Sequence, residues 1–93
     1  MKTEPVIAAQ VRDYLRSLAP EPRRLAKGAL AGLTDGRGDS KPLGGKLEGL
    51  HRLRVGQHRF IYRHRAGHIE VFFAAPRKVV YEFLAAHLRE LLD

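Results

Sequence analysis

The sequence has no cysteine among its 93 residues. A disulfide framework, a thiolate metal site and a thiol nucleophile are therefore excluded, and a reducing cytoplasm is the simplest location. Long hydrophobic runs are also missing. None approaches the roughly 20 apolar residues that cross a bilayer, and the first residues, MKTEPVIAAQ, lack the apolar core of a signal peptide. We expect one cytoplasmic domain over residues 1–93, with no membrane partner.

Acidic residues are scarce where the basic residues concentrate. The formal net charge is +7, and residues 41–78 carry nine lysines and arginines against only Glu48 and Glu70. The remaining residues balance eight basic against eight acidic side chains. Because the whole excess lies in one segment, we expect an anionic partner, with nucleic acid favoured over a membrane surface or an acidic protein. The alternative is an ordinary solvated basic face.

The N-terminal third has helical periodicity. Apolar residues at helical spacing predict a helix over roughly 5–18, with Pro5 in its first turn and Thr3 as a cap. Prolines then end this helix, and a second short helix follows around 25–33, so the two form an αα-hairpin. Residues 34–46 contain five glycines and prolines and no apolar periodicity, which predicts a loop.

From residue 47 the apolar period changes to two. It predicts strands near 48–55, 58–65 and 69–75 that form an antiparallel meander, because Gly56-Gln57 and Ala66-Gly67 suit two-residue hairpin turns. In the implied register Arg54 faces Arg59 and Phe60 faces Phe73. One sheet face is then apolar and packs on the helices: Leu53, Val55, Phe60, Tyr62, Ile69, Val71 and Phe73. The other face collects Arg52, Arg54, Arg59, Arg63, Ile61, Glu70 and Phe72.

The predicted fold class is α+β. The αα-hairpin packs on one face of the small antiparallel sheet, and a C-terminal helix after Pro76 begins beside the basic face.

Several chemistries lack the residues that they need. Four histidines between positions 51 and 68 are expected at turns and sheet edges without converging, so we predict no metal site and no cofactor. Neither Ser17 nor Ser40 sits in a glycine-flanked nucleophile elbow, and no two carboxylates lie close in the register. The glycine-rich segment 34–46 lacks the lysine-serine or lysine-threonine ending of a phosphate loop.

The basic face suits RNA better than duplex DNA. No amphipathic recognition helix carries the charge, whereas single-stranded RNA is typically read on a sheet by arginines and stacking aromatics. Phe72 or Tyr81 could stack a splayed base, and Arg77 with Lys78 extends the charge at the end of the last strand.

Two segments carry a family resemblance. The stretches KPLGGKLEGLHRLRVGQHRFIYR and PRKVVYEFL resemble the RelE/ParE toxins of type II toxin–antitoxin systems, and the resemblance covers roughly residues 9 to 84. It implies a RelE-like fold and a cognate antitoxin protein as a partner. The arginine and tyrosine of PRKVVYEFL favour the RelE-like branch, which implies a ribosome-dependent, metal-independent endoribonuclease that cleaves mRNA and inhibits translation.

The resemblance also implies roles for individual residues. The catalytic candidates are Arg59, Arg77 and Tyr81, with the arginines stabilising the phosphorane and Tyr81 positioning a base or assisting proton transfer. The residues expected to bind RNA are Arg52, Arg54, Arg63, Phe72 and Lys78.

Two other functions stay open at this point: a ParE-like inhibitor of DNA gyrase, and a catalytically degenerate RNA-binding relative. Three departures from the family pattern keep them open. Pro5 lies where a first strand should run, so this strand is expected to be nearly absent and to leave a sheet edge unpaired. Ala75 and Pro76 replace residues that are often basic in active relatives, and Lys41 stands where some relatives place a catalytic glutamate.

Overall fold

A five-stranded sheet lies between two helices on one face and a third helix on the other. The computed structural model describes residues 4–92, so the predicted cap at Thr3 lies outside the described residues. In chain order the elements are β1 (Val6–Ile7), α1 (Ala9–Ser17), α2 (Pro20–Gly32), a 3-10 turn (Leu33–Asp35), β2 (Asp39–Pro42), a second 3-10 turn (Gly45–Leu47), β3 (His51–Val55), β4 (His58–Arg65), β5 (His68–Pro76) and α3 (Val80–Leu92). The α+β class and the N-terminal helix pair are confirmed.

The three central strands form the predicted meander. The strand order is β1-β5-β4-β3-β2, and the β3–β4 register is as expected, with Arg54 opposite Arg59. At the first turn Gly56 has φ 60° and Gln57 keeps a negative φ, which is the pattern of a type II′ turn. At the second turn Ala66 and Gly67 have φ of 50° and 80°, as a type I′ turn requires.

The two edge strands, β1 and β2, differ from the sequence prediction. Residues 39–42, expected in a loop, form β2 and pair antiparallel with β3. The first strand, which we expected to be nearly absent, is the two-residue β1, and it pairs in parallel only with Glu70 and Val71 of β5. Since β1 occupies residues 6 and 7, α1 begins at Ala9 rather than near residue 5. Pro42 is tolerated in β2 because an edge strand leaves one side of its backbone unpaired.

The predicted register of the second hairpin is wrong, because β5 contains a bulge. Phe60 lies opposite Ala74 rather than Phe73, and the register shifts between Ile61 and Tyr62, so Phe72 is the extra residue. Beyond the bulge the alternation is reversed, and Phe73 leaves the face on which it was expected. Phe72 and Phe73 therefore pack together against α3.

Two apolar clusters hold the layers together. The first joins α1 and α2 to one sheet face: Val11, Leu15, Ala26, Leu30, Leu33, Leu53, Phe60, Tyr62, Ile69, Val71 and Ala74. The second joins α3 to the opposite face: Leu50, Ile61, Phe72, Phe73, Ala75, Val80 and Leu84. With Val80 and Leu84 fully buried, the first turns of α3 are fixed on the sheet beside the arginines.

Candidate functional site

A basic pocket opens on the α3 face of the sheet. Its volume is about 610 Å³, and β2, the loop after it, β3, β4 and the start of α3 supply its walls. The lining residues are Lys41, Pro42, Leu43, Gly44, Arg52, Arg54, Arg59, Arg77 and Tyr81. Five of these nine residues are cationic and none is acidic, so the pocket attracts anions.

Arg59 is the buried cation of this pocket, with 9% of the residue exposed. Its Nη1 donates hydrogen bonds to the carbonyl oxygens of Gly56 (2.9 Å) and His58 (3.0 Å), and within residues 4–92 no carboxylate forms an ion pair with it. Burial lowers the pKa of Arg59 below its usual value, and the neighbouring charges of Arg54 and Arg52 lower it further. An arginine nevertheless remains protonated at physiological pH, so Arg59 keeps a fixed positive charge that no carboxylate of the described residues neutralises.

Asp39 is the acidic residue that approaches the rim. Its carboxylate lies 3.6 Å from Arg52 and 3.9 Å from Arg54, and its own side chain is 57% exposed. Pairs this long and this accessible to water are worth little, typically about 0–1 kcal/mol. The like-charged cross-strand pair of Arg54 and Arg59 is thus only weakly compensated.

Arg77 lies between β5 and α3, Tyr81 lies in the first turn of α3, and both line the pocket. The backbone N–H of Arg77 donates to the carbonyl oxygen of Gln57 (2.8 Å), which ties the approach to α3 to the β3–β4 turn. Tyr81 lies about one helical turn later and is 40% exposed. Its phenol is therefore accessible at the wall of a cationic site.

Five of the eight residues chosen from the sequence meet at this pocket, and three do not. Arg63 instead pairs with Glu70 at 2.7 Å and lies 5.6 Å above the ring of Phe72. Phe72 was expected on the open face, but it is 5% exposed and cannot stack a base there without repacking. Lys78 is exposed beside Arg77 but does not line the pocket.

Sequence reasoning missed Lys41 and the segment 42–44 as walls of the pocket. Lys41 pairs with Arg52 across β2 and β3, which adds a cation to the same face. The available signal was weak, because a four-residue edge strand that is exposed at every position has no apolar alternation to detect.

The histidines are closer together than we expected. His51 stacks on Tyr62 with ring centroids 5.1 Å apart, and His64 meets His51 edge-on at 5.3 Å. Within the described part of the chain, no group of three or more His, Cys, Asp or Glu side chains is arranged to hold a metal ion. No helix among residues 4–92 has the length and hydropathy of a membrane span.

Solved structures provide the comparison with known proteins, since no protein-family model and no curated protein matches the sequence. A chain of the RelB–RelE antitoxin–toxin complex from Methanococcus jannaschii superposes with a TM-score of 0.68 at 18% identity, over 84% of this chain and 96% of that one. The toxin–antitoxin complex RelBE2 from Mycobacterium tuberculosis matches with a TM-score of 0.67 at 22% identity, over 83% and 93%. The fold is that of the RelE and YoeB toxins.

The YoeB dimer from Staphylococcus aureus, with a TM-score of 0.60 at 18% identity, covers 76% of this chain and 92% of its own. The RelE-like fold therefore extends over nearly the whole length of all three neighbours. At these identities the likeness concerns the fold, and the function has to be argued from the pocket.

Proposed function

We propose that this protein is the toxin of a type II toxin–antitoxin system and that it cleaves mRNA on the ribosome, which stops translation. The RelE-like fold supports the class of protein. The observation that carries the proposal is Arg59, a buried cation without a carboxylate partner in the described chain, at a pocket of five cationic side chains. Such a site stabilises negative charge that develops on a bound group.

The chemistry suited to this pocket is the transfer of a phosphoryl group from one oxygen of the RNA to another. The 2′-oxygen bonds to the adjacent phosphorus, the bond to the 5′-oxygen breaks, and the products end in a 2′,3′-cyclic phosphate and a 5′-hydroxyl. Arg59 and Arg77 would stabilise the phosphorane, while Arg52 and Arg54 bind the flanking phosphates. Tyr81 is the accessible hydroxyl that would position a base or assist the proton transfers.

A cognate antitoxin is the protein partner that we propose. Two of the structural neighbours are antitoxin–toxin complexes. An acidic segment laid over Arg52, Arg54 and Arg59 would neutralise the pocket, and displacement of the first turn of α3 would remove Tyr81 from it. A structure of the complex in which the antitoxin does neither would contradict this part of the proposal.

Replacing Arg59 tests the nuclease directly. Arg59→Ala should lower single-turnover cleavage at saturating ribosomes by about 10²-fold or more, which is the effect of losing a donor to a developing oxyanion. Ribosome affinity should change little, because Arg52 and Arg54 still bind phosphate.

Arg65→Ala is the matched control, since Arg65 is exposed at the far end of β4 and is 4.0 Å from Glu70. It should weaken binding slightly and leave the cleavage rate unchanged. If Arg59→Ala cuts as fast as the parent, or if the parent arrests growth through DNA supercoiling while translation continues, the nuclease proposal fails.

A further inference from the structure

The backbone of the β3–β4 turn bonds two of the three catalytic candidates, Arg59 and Arg77. Three successive carbonyl oxygens take part. Those of Gly56 and His58 accept hydrogen bonds from Nη1 of Arg59, and that of Gln57 accepts from the backbone N–H of Arg77. A small rotation of this turn would therefore move the guanidinium of Arg59 and the start of α3 together.

The same turn is fastened to the helical layer on the opposite face of the sheet. The hydroxyl of Tyr14, on α1, lies 2.7 Å from Nδ1 of His58, and the two rings meet edge-on at 5.6 Å. The ring of Tyr14 also packs edge-on against Phe60 at 6.1 Å. Burial raises the pKa of Tyr14, so its hydroxyl stays protonated; it donates to Nδ1 when that nitrogen carries no proton and accepts from it when it does.

We infer that Tyr14 and His58 are positioning residues for the basic pocket, although neither lines it. The hydrogen bond between them fixes the β3–β4 turn, and the turn carbonyls orient Arg59 and the entry of α3. Misplacement of a catalytic group by about 1 Å can cost about 10²-fold in rate. The inference rests on the proposed function for its effect on cleavage, but the effect on Arg59 itself does not depend on it.

The alternative is that this hydrogen bond only stabilises the fold. Tyr14→Phe keeps the ring packing on Phe60 and removes only the hydroxyl. His58→Leu removes the partner of the Tyr14 hydroxyl, whereas His58→Asn places an amide group, which can donate or accept, near the position of Nδ1 and should restore the interaction. Tyr62→Phe is the control, because Tyr62 is a buried tyrosine of the same sheet face whose ring packs on His51, at the end of β3 away from the turn.

For each variant the experiment measures the midpoint of thermal unfolding, the NMR signal of the Arg59 guanidinium, and single-turnover cleavage at saturating ribosomes. It also measures the affinities for ribosomes and for inorganic phosphate. For Tyr14→Phe and His58→Leu we expect a displaced or broadened Arg59 signal and about a tenfold loss of rate with little change in ribosome affinity. His58→Asn and Tyr62→Phe should keep the parent signal and rate.

Variants that unfold at a lower temperature but keep the parent Arg59 signal and rate would overturn the inference, since the hydrogen bond would then be purely structural. If the parent protein does not cleave RNA, the proposed function fails by itself. The Arg59 signal and the affinity for inorganic phosphate then decide the inference: parent values in Tyr14→Phe would reject it, and a displaced signal with about tenfold weaker phosphate binding would support it.

Discussion

At the scale of single residues, the fold places ionisable groups where their charged forms are disfavoured. Arg59 keeps its charge because a guanidinium is too basic to lose its proton. Burying this charge costs free energy in the folded protein, and a bound phosphate would offset that cost. His51 is half-buried between the rings of Tyr62 and His64. Burial lowers the pKa of His51, and the charge of His64 lowers it further.

This shift predicts a loss of stability in weak acid. Because the pKa of His51 is lower in the folded chain, the unfolded chain binds the proton first, and the free energy of unfolding should fall as the pH drops below about 6.5. His51→Phe keeps an aromatic ring beside Tyr62 and should make the fall shallower. Urea unfolding between pH 5 and pH 8 measures it, and equal slopes for variant and parent would contradict the assignment.

At the scale of elements, local signals explain which parts of the fold the sequence could predict. The two hairpins combine turn residues with apolar alternation, and both signals lie within a few residues of the pairing that they specify. β1 and β2 have two and four residues, and their partners are distant in sequence, so their pairing depends on the assembled sheet. The sequence does not predict the bulge, because Phe72 and Phe73 are equally apolar and no neighbouring residue indicates which of them lacks a partner in β4.

The second hairpin turn contains a strained residue. Ala66 has φ 50°, a left-handed conformation that costs a residue with a Cβ about 1–2 kcal/mol and costs glycine much less. Ala66→Gly should therefore raise the free energy of unfolding by up to about 1 kcal/mol after the greater entropy of the unfolded glycine is subtracted. Thermal unfolding measures the change.

Ala85→Gly supplies the comparison, because Ala85 is exposed within α3 and the same substitution there should destabilise by about 1 kcal/mol. If both variants shift the unfolding midpoint in the same direction, the turn is not strained in the way that we describe.

At the scale of the whole molecule, the basic segment of the sequence becomes one face of the protein. The cationic residues of the pocket come from three strands and the approach to α3, and only the assembled sheet brings them together. They are Lys41, Arg52, Arg54, Arg59 and Arg77. The two N-terminal helices cover the other face. This separation allows the pocket to keep an excess of one charge sign while the core remains apolar.

The carboxylate of Asp39 reduces the excess of positive charge at the pocket, and its removal should strengthen the binding of RNA. Asp39→Asn should raise the affinity for single-stranded RNA and steepen its dependence on salt, because Arg52 and Arg54 would lose their shared carboxylate. The slope of log affinity against log salt should become more negative by up to about 0.7 for each additional phosphate that the arginines neutralise. The free energy of unfolding should fall by less than about 1 kcal/mol, as for other exposed ion pairs.

Binding titrations with a short RNA at several salt concentrations measure both the affinity and the slope. Asp13→Asn is the control, because Asp13 pairs with Arg16 on α1, on the helical face of the sheet. An affinity that is unchanged in Asp39→Asn would show that the carboxylate does not compete with RNA for these arginines.

The parallel pairing of β1 with β5 has a consequence for how the chain folds as it is synthesised. The amide of Gln10, just after β1, bonds both the N–H and the carbonyl oxygen of Ala74, which is 64 positions later. Contacts so distant in sequence form late, because the chain must close a long loop before they stabilise it. A nascent chain that still lacks β5 and the start of α3 has most of the arginines but has neither Arg77 nor Tyr81, nor a partner for β1. The pocket is therefore complete only after the segment from β5 through Tyr81 has been synthesised and has joined the sheet.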